Sequence, residues 1–321
     1  MKWLGVPLLI LIALAFAASL LAGRVWLPPA SLLSPHDSLA GLILYDIRLP
    51  RTVLALVTGG VLGLSGAVLQ GFTRNPLAEP ALLGVSGGAA LGAVIAIYFG
   101  LAALSPVTGP VMGMLGALAA CALTFALGRN GTVALVLAGA AVSSLTAAGI
   151  ALALNFAPSP YAAYEIMSWL LGSLADKSWT QVLLVLPFVV MGCGLLGLSG
   201  RALDALSLGE IQAQALGINL TRLAALVVGG TALCVGAITS VTGAIGFIGL
   251  VAPHLVRPFV GYSPRRVLLP ATLCGALLLL CADIAARLVH TNPELRLGVF
   301  TSLLGTPFFF WLVVRIRKVA P

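Results

Sequence analysis

The sequence predicts an all-α polytopic membrane protein of about ten transmembrane helices, some short or broken, with an inverted internal repeat. The chain has 321 residues, is 60% hydrophobic and only 8% charged, and has a mean hydropathy of +1.12, whereas a soluble domain carries about 25% charge. Its apolar runs are continuous and near the roughly 20 residues a helix needs to cross hydrocarbon; a barrel would show short alternating segments. A pattern in the first half also recurs in the second.

Lys2 precedes a first span, Leu4 to Ala22. Ala15-Phe16-Ala17 matches a signal-peptide cleavage pattern, but the run is longer than the apolar core of about 7–15 residues in such peptides, so it reads as a span. After a loop containing Pro28, Pro29 and Pro35, a second span covers roughly Thr52 to Phe72, bounded by Arg48 and Arg51 before it and Arg74 after it. Asn75-Pro76 makes a turn. The third run, about Ala81 to Ala103, contains Gly84, Gly87, Gly88 and Gly92, which predict a short or broken helix in close contact with a neighbour. The fourth, about Val107 to Leu127, and the fifth, about Thr132 to Leu154, flank the polar turn Gly128-Arg129-Asn130-Gly131. Asn155 to Ser178, with Glu165, Trp169, Asp176 and Lys177, is an interfacial segment, and the sixth span is about Trp179 to Ser199.

A polar island follows, Arg201 to Arg222, RALDALSLGEIQAQALGINLTR, set between two long apolar runs. Leu223 to Val241 is the seventh span. The Gly-rich run Gly243 to Gly249, leading through Pro253 and Pro258, reads as a short eighth helix. Val267 to Ala286 and Leu297 to Val314 are the ninth and tenth, ahead of the basic tail Arg315, Arg317 and Lys318.

Ten spans put both termini on one side. That side receives all but six of the 17 Lys and Arg residues, the exceptions being Arg24, Arg48, Arg51, Lys177, Arg287 and Arg296. Because Lys and Arg concentrate in cytoplasmic loops, the termini and the island are expected to be cytoplasmic. The net charge of +8 comes from singly dispersed residues without a basic stripe or interleaved aromatics, which excludes nucleic acid as a partner and points to the lipid bilayer.

The repeat is Ala55-Leu56-Val57, Gly59-Gly60 and Gly66-Ala67 against Ala225-Leu226-Val227, Gly229-Gly230 and Gly236-Ala237, every pair offset by 170 residues. Five spans, an odd number, fit in that offset. A single transmembrane domain, residues 1–321, is therefore expected to contain inverted halves of about 48–155 and 218–314.

Several chemistries are excluded. The nearest string to a phosphate-cradling loop, Gly172 to Ser178, lacks the second glycine, and neither HExxH nor GxSxG occurs. His36, His254 and His290 are isolated, and Cys121, Cys193, Cys234, Cys274 and Cys281 lie in apolar runs without CxxC spacing, as core residues would. Asp283 is the one intramembrane acid; four residues before Arg287, it reads as half of a helix-end ion pair rather than a proton carrier. The GxxxG spacings at Gly59 and Gly63, Gly88 and Gly92, and Gly109 and Gly113 read as ordinary helix packing.

Six strings occur in order: RLPR (Arg48 to Arg51), NPLAEPALLGVSGG (Asn75 to Gly88), LGEIQAQALGI (Leu208 to Ile218), GAIGFIGLVAPHLVR (Gly243 to Arg257), ADIAAR (Ala282 to Arg287) and GTPFFFWL (Gly305 to Leu312). Over nearly the whole chain they resemble the permease subunit of bacterial ABC importers for iron chelates, haem and cobalamin, the FecCD-type permeases. The resemblance implies a ten-helix subunit of the bacterial inner membrane that forms a homodimer around a central pathway. It also implies two cytoplasmic ATPase subunits that carry the ATP and Mg, a substrate-binding protein outside, and no cofactor or metal bound by this chain itself. Ferric siderophore is the first expectation for the cargo, followed by haem and cobalamin. An ion-gradient-driven carrier or a channel is the alternative from another class.

By the same resemblance, Leu208, Gly209, Glu210, Ala213, Leu216 and Gly217, within the segment 201–222, correspond to a coupling helix that sits in a cleft of the ATPase. Arg48, Arg51 and Arg287 correspond to outward arginines that receive acidic residues of the binding protein. Ser143, Ser144, Thr146 and Asn155 on the fifth span correspond to lining of the pathway.

Overall fold

The computed structural model describes residues 2–23, 25–129, 131–289 and 294–319; Arg24, Asn130 and His290 lie outside the described residues. The chain is helical throughout its spans, and among the described residues there is no strand. The first span is α1 (Lys2–Leu21), which runs unbroken through Ala15–Ala17. α2 (Leu39–Leu42) continues through a π-helical turn, Ile43–Arg48, into α3 (Leu49–Thr73), so one helical rod starts well before Thr52. The expectation that Arg48 and Arg51 bound the span fails because both arginines are satisfied inside the protein.

The third span is broken. A 3-10 turn at Pro80–Leu83 ends in Gly84, whose φ of 77° is the left-handed conformation that favours glycine, and only then does α4 (Val85–Tyr98) begin. α5 (Thr108–Leu127) and α6 (Thr132–Asn155) match the fourth and fifth spans. The interfacial segment contains α7 (Pro160–Leu170), started by the Ser159 hydroxyl, which accepts from the Ala162 N–H. Burial holds the nearby Lys177 ammonium below its ordinary range; Asp176 opposes that shift and Arg296 adds to it.

α8 (Trp179–Leu198) is the sixth span, and the island folds into two short helices, α9 (Gly200–Leu206) and α10 (Glu210–Ala215). Asn219 caps α11 (Leu220–Thr242) through the Arg222 N–H at 2.9 Å. Residues 243–247 are unwound, α12 (Ile248–Val256) has only nine residues as expected, and α13 (Pro264–Leu288) and α14 (Leu297–Val319) complete the bundle. Among the described residues, seven helices are long and apolar enough to cross a membrane; α4 and α14 add shorter apolar stretches.

The bundle is organised about α3 and α11, whose apolar windows are 83% and 72% buried, against 11% for α1 and 28% for α5 and for α6. Small residues permit the approach. A Cβ at Gly59 would collide with the Gly275 carbonyl and one at Gly63 with the Ala271 carbonyl, so α3 and α13 touch backbone to backbone. Gly88 and Gly92 meet Gly116 and Met112 of α5 in the same way, and Gly66 meets Gly249 of α12. Two of the three GxxxG spacings are thus internal packing; Gly109 faces open space while Gly113 meets Ser240. All five cysteines are free thiols.

Gly59→Val should therefore cost about 1–3 kcal/mol through overpacking and lower the melting temperature and the monodisperse yield in detergent. Gly229→Ala, where nothing lies within 4 Å of the added methyl, should leave both unchanged.

Candidate functional site

Two polar constellations stand at opposite ends of the bundle, and a cavity lies between them. At one end, Gly209 (φ 117°) and Gly217 (φ 84°) bracket α10, conformations that free a six-residue helix from its neighbours in the chain. Ala213 is fully buried and pins α10 against the core. Leu208, Ile211 and Leu216 are exposed by 63%, 78% and 63%. All three lie on or directly beside this short polar helix. Ile211, the most exposed of them, was not among the expected coupling residues, although its position two before Ala213 places it on another side of so short a helix.

Glu210 takes a different direction. Its Oε1 accepts from the Thr132 hydroxyl at 2.9 Å, at the start of α6, and from Arg74 at 3.4 Å, at the end of α3. A cavity of about 260 Å³ lies here, lined by Phe72, Arg129, Thr132, Glu210, Gln214 and Leu220 among others. On the other flank, Asp204 of α9 accepts from the Ser263 hydroxyl and the Arg265 N–H, both at 3.0 Å, at the first turn of α13. A carboxylate there complements the positive helix terminus.

At the far end, α1 stops and leaves carbonyls that a helix terminus cannot satisfy by itself. Arg48 donates to the carbonyls of Leu20 (2.9 Å), Leu21 (2.6 Å) and Val25 (2.6 Å). Arg287 donates to the carbonyls of Ser19 (2.9 Å) and Ala22 (3.3 Å) and to the Ser19 hydroxyl (2.9 Å), which also bonds Thr52 at 2.8 Å. Fully buried Asp283 accepts from Arg287 and, at 2.8 and 3.0 Å, from Arg51; Arg51 also pairs with Glu294. The expected ion pair of Asp283 and Arg287 is present and larger than a pair. The expectation of three outward arginines needs correction: Arg48 and Arg287 are only 8% and 6% exposed, their charges turned onto the carbonyl end of α1. Arg51, partly exposed and paired with Glu294, is the member that approaches the surface.

The expected pathway residues on α6 are dispersed. Ser144 and Asn155 are exposed, Ser143 is half-buried with its hydroxyl donating to the Ala81 carbonyl at 3.2 Å, and Thr146 is buried with its own hydroxyl returned to the Ser143 carbonyl at 2.9 Å. A cavity of about 680 Å³ lies elsewhere, between Leu170 of α7 and the following Leu171, Ala244 and Gly246 of the unwound segment, and Gly298, Ser302 and Thr306 of α14. None of the four lines it. Its sequence signal was the interrupted run Gly243–Gly249, since irregular backbone at membrane depth is tolerated where it lines a cavity. Phe247, at φ 67°, closes this segment, and Gly305 of α14 lies directly against it: a Cβ there would strike the Phe247 ring.

Comparison with known proteins follows this geometry. A family model described as the FecCD transport family matches residues 10–315. The vitamin B12 import system permease protein BtuC of Klebsiella pneumoniae is 40% identical over 323 residues, covering 98% of this chain and 94% of the relative. BtuC of Vibrio cholerae is 43% identical over 300 residues, covering 92% and 89%. A solved structure described as an inward-facing conformation of a metal-chelate type ABC transporter superposes with a TM-score of 0.86 at 31% identity, covering 98% of this chain and 99% of that one.

Removing the acid at the centre of the far-end cluster leaves Arg51 and Arg287 without their buried counter-charge. Asp283→Ala should destabilise the protein by about 3–5 kcal/mol, read as a lower melting temperature of the detergent-purified chain, whereas truncating the half-exposed partner with Glu294→Ala should cost far less.

Proposed function

This chain belongs to the FecCD transport family, and from that premise we propose that it is the inner-membrane permease of an ATP-driven importer whose cargo is cobalamin. The observation that carries the cargo is the 40% identity to vitamin B12 permeases over 98% of the chain; it favours cobalamin over the ferric siderophore expected first from the sequence. Ferric chelate remains the second reading, favoured by the likeness to a metal-chelate type transporter at TM-score 0.86. Specificity is supplied in large part by a soluble binding protein that delivers the cargo.

In this reading α10 is the coupling helix. Leu208, Ile211 and Leu216 enter a cleft of a cytoplasmic ATPase subunit, Ala213 anchors the helix, and Gly209 and Gly217 let it pivot. ATP and Mg reside on two such subunits, and both termini of this chain face them in the cytoplasm. Two copies of the permease enclose the pathway, with the α7–α14 cavity and the exposed Ser144 and Asn155 of α6, half-buried Ser143 beside them, as its walls. At the outer end Arg51 receives an acidic residue of the binding protein, while Arg48 and Arg287 hold the rim by fixing α1. The inverted halves are supported by packing: α3 lies on α13 and α11 on α5, the same pairing with the halves exchanged.

Reconstituted with its ATPase subunits in liposomes, the permease should take up cobalamin with ATP and not without it; uptake of ferric chelate alone would establish the second reading, and uptake without the ATPase would refute both. Ile211→Asp should abolish retention of the ATPase on the detergent-purified permease, because an ionised side chain cannot enter an apolar cleft.

A further inference from the structure

Building on the importer reading, we infer that Glu210 is a positioning residue that ties α10 to α6 inside this chain and makes no contact with the ATPase. The side of α10 available to a partner carries Leu208, Ile211 and Leu216 together with the exposed amides of Gln212 and Gln214. Glu210 is withdrawn from it, its carboxylate occupied by two donors from two other elements, the Thr132 hydroxyl at 2.9 Å and Arg74 at 3.4 Å. The two donors sit on unlike supports. Arg74 terminates α3, 83% buried and locked to α13 by glycine contacts; Thr132 is the first residue of α6, only 28% buried.

The tie also crosses a gap. The cavity of about 260 Å³ that Glu210 and Thr132 both line keeps α10 from packing broadly on α5 and α6. Displacement of α10 is then passed to α6 through a hydrogen bond rather than through side-chain packing. The bond from the Thr132 hydroxyl is the shorter of the two, at 2.9 Å, whereas the longer, half-exposed pair with Arg74 contributes little. Glu210 thus moves with α6 and slides against α3. Stroke at the coupling helix is delivered to the lightly packed helix that borders the pathway.

The test uses the full permease with its ATPase subunits in liposomes, reading ATP hydrolysis and cobalamin uptake together. Glu210→Gln and Thr132→Val should retain the ATPase at wild-type stoichiometry and hydrolyse ATP at the wild-type rate, while cargo carried per ATP falls roughly tenfold, within the usual range of coupling between sites. Thr132→Ser, which keeps the hydroxyl, should restore coupling, and the double variant Glu210→Gln/Thr132→Val should be no worse than either single one. Loss of the ATPase in Glu210→Gln alone, additive losses in the double variant, or a normal ratio in both singles would overturn the inference. The wild-type complex assays the parent reading separately: absence of wild-type uptake refutes the importer, whereas wild-type uptake with unaltered variants refutes only the tie.

Discussion

The backbone contact between α3 and α13 is the constraint on which the other features depend. Lipid offers helices no hydrophobic reason to associate, so adhesion rests on dispersion at close range, which only small residues permit. Gly63 on Ala271 and Gly59 on Gly275 set the antiparallel register. Eight residues further along both helices the same register brings Arg51 to Asp283. The charge cluster is therefore a consequence of the glycine stripe: without that approach, the buried carboxylate would have no cation from α3 in reach.

From this pair the two ends acquire different characters. At the far end Asp283 and Glu294 pair with Arg51 and Arg287, and the carbonyls of α1 are absorbed by Arg48 and Arg287, which makes the first span part of the assembly. At the other end the ties are a few hydrogen bonds, two from Asp204 to the start of α13 and one each from Glu210 to α6 and α3. One end is built to stay, the other to shift.

Much of this was readable in the amino acids. Long apolar runs marked the spanning helices, the spacing of Asp283 and Arg287 announced their pair, and the interrupted run after Gly243 forecast the short α12. What escaped shares a physical cause: it depends on partners distant in sequence. Arg287 reaches Ser19 across 268 residues, and nothing in ADIAAR says that a helix end will be waiting there. The start of the second span was misplaced because arginine is counted as a boundary when its partners are unseen. The site showed the same division. The polar run Arg201 to Arg222 between two apolar stretches identified the island, but which of its side chains point outward is decided by Ala213 meeting the core. The large cavity belongs to α7, α14 and an unwound strand of backbone, three segments joined only by folding.

Phe247 adds a preload to this design. A left-handed backbone at an aromatic residue is disfavoured by roughly 1–2 kcal/mol, and here the conformation is accompanied by a flush contact with Gly305. The position of α14 and that of the Phe247 ring therefore share one contact: any side chain larger than hydrogen at 305 would have to displace one of them.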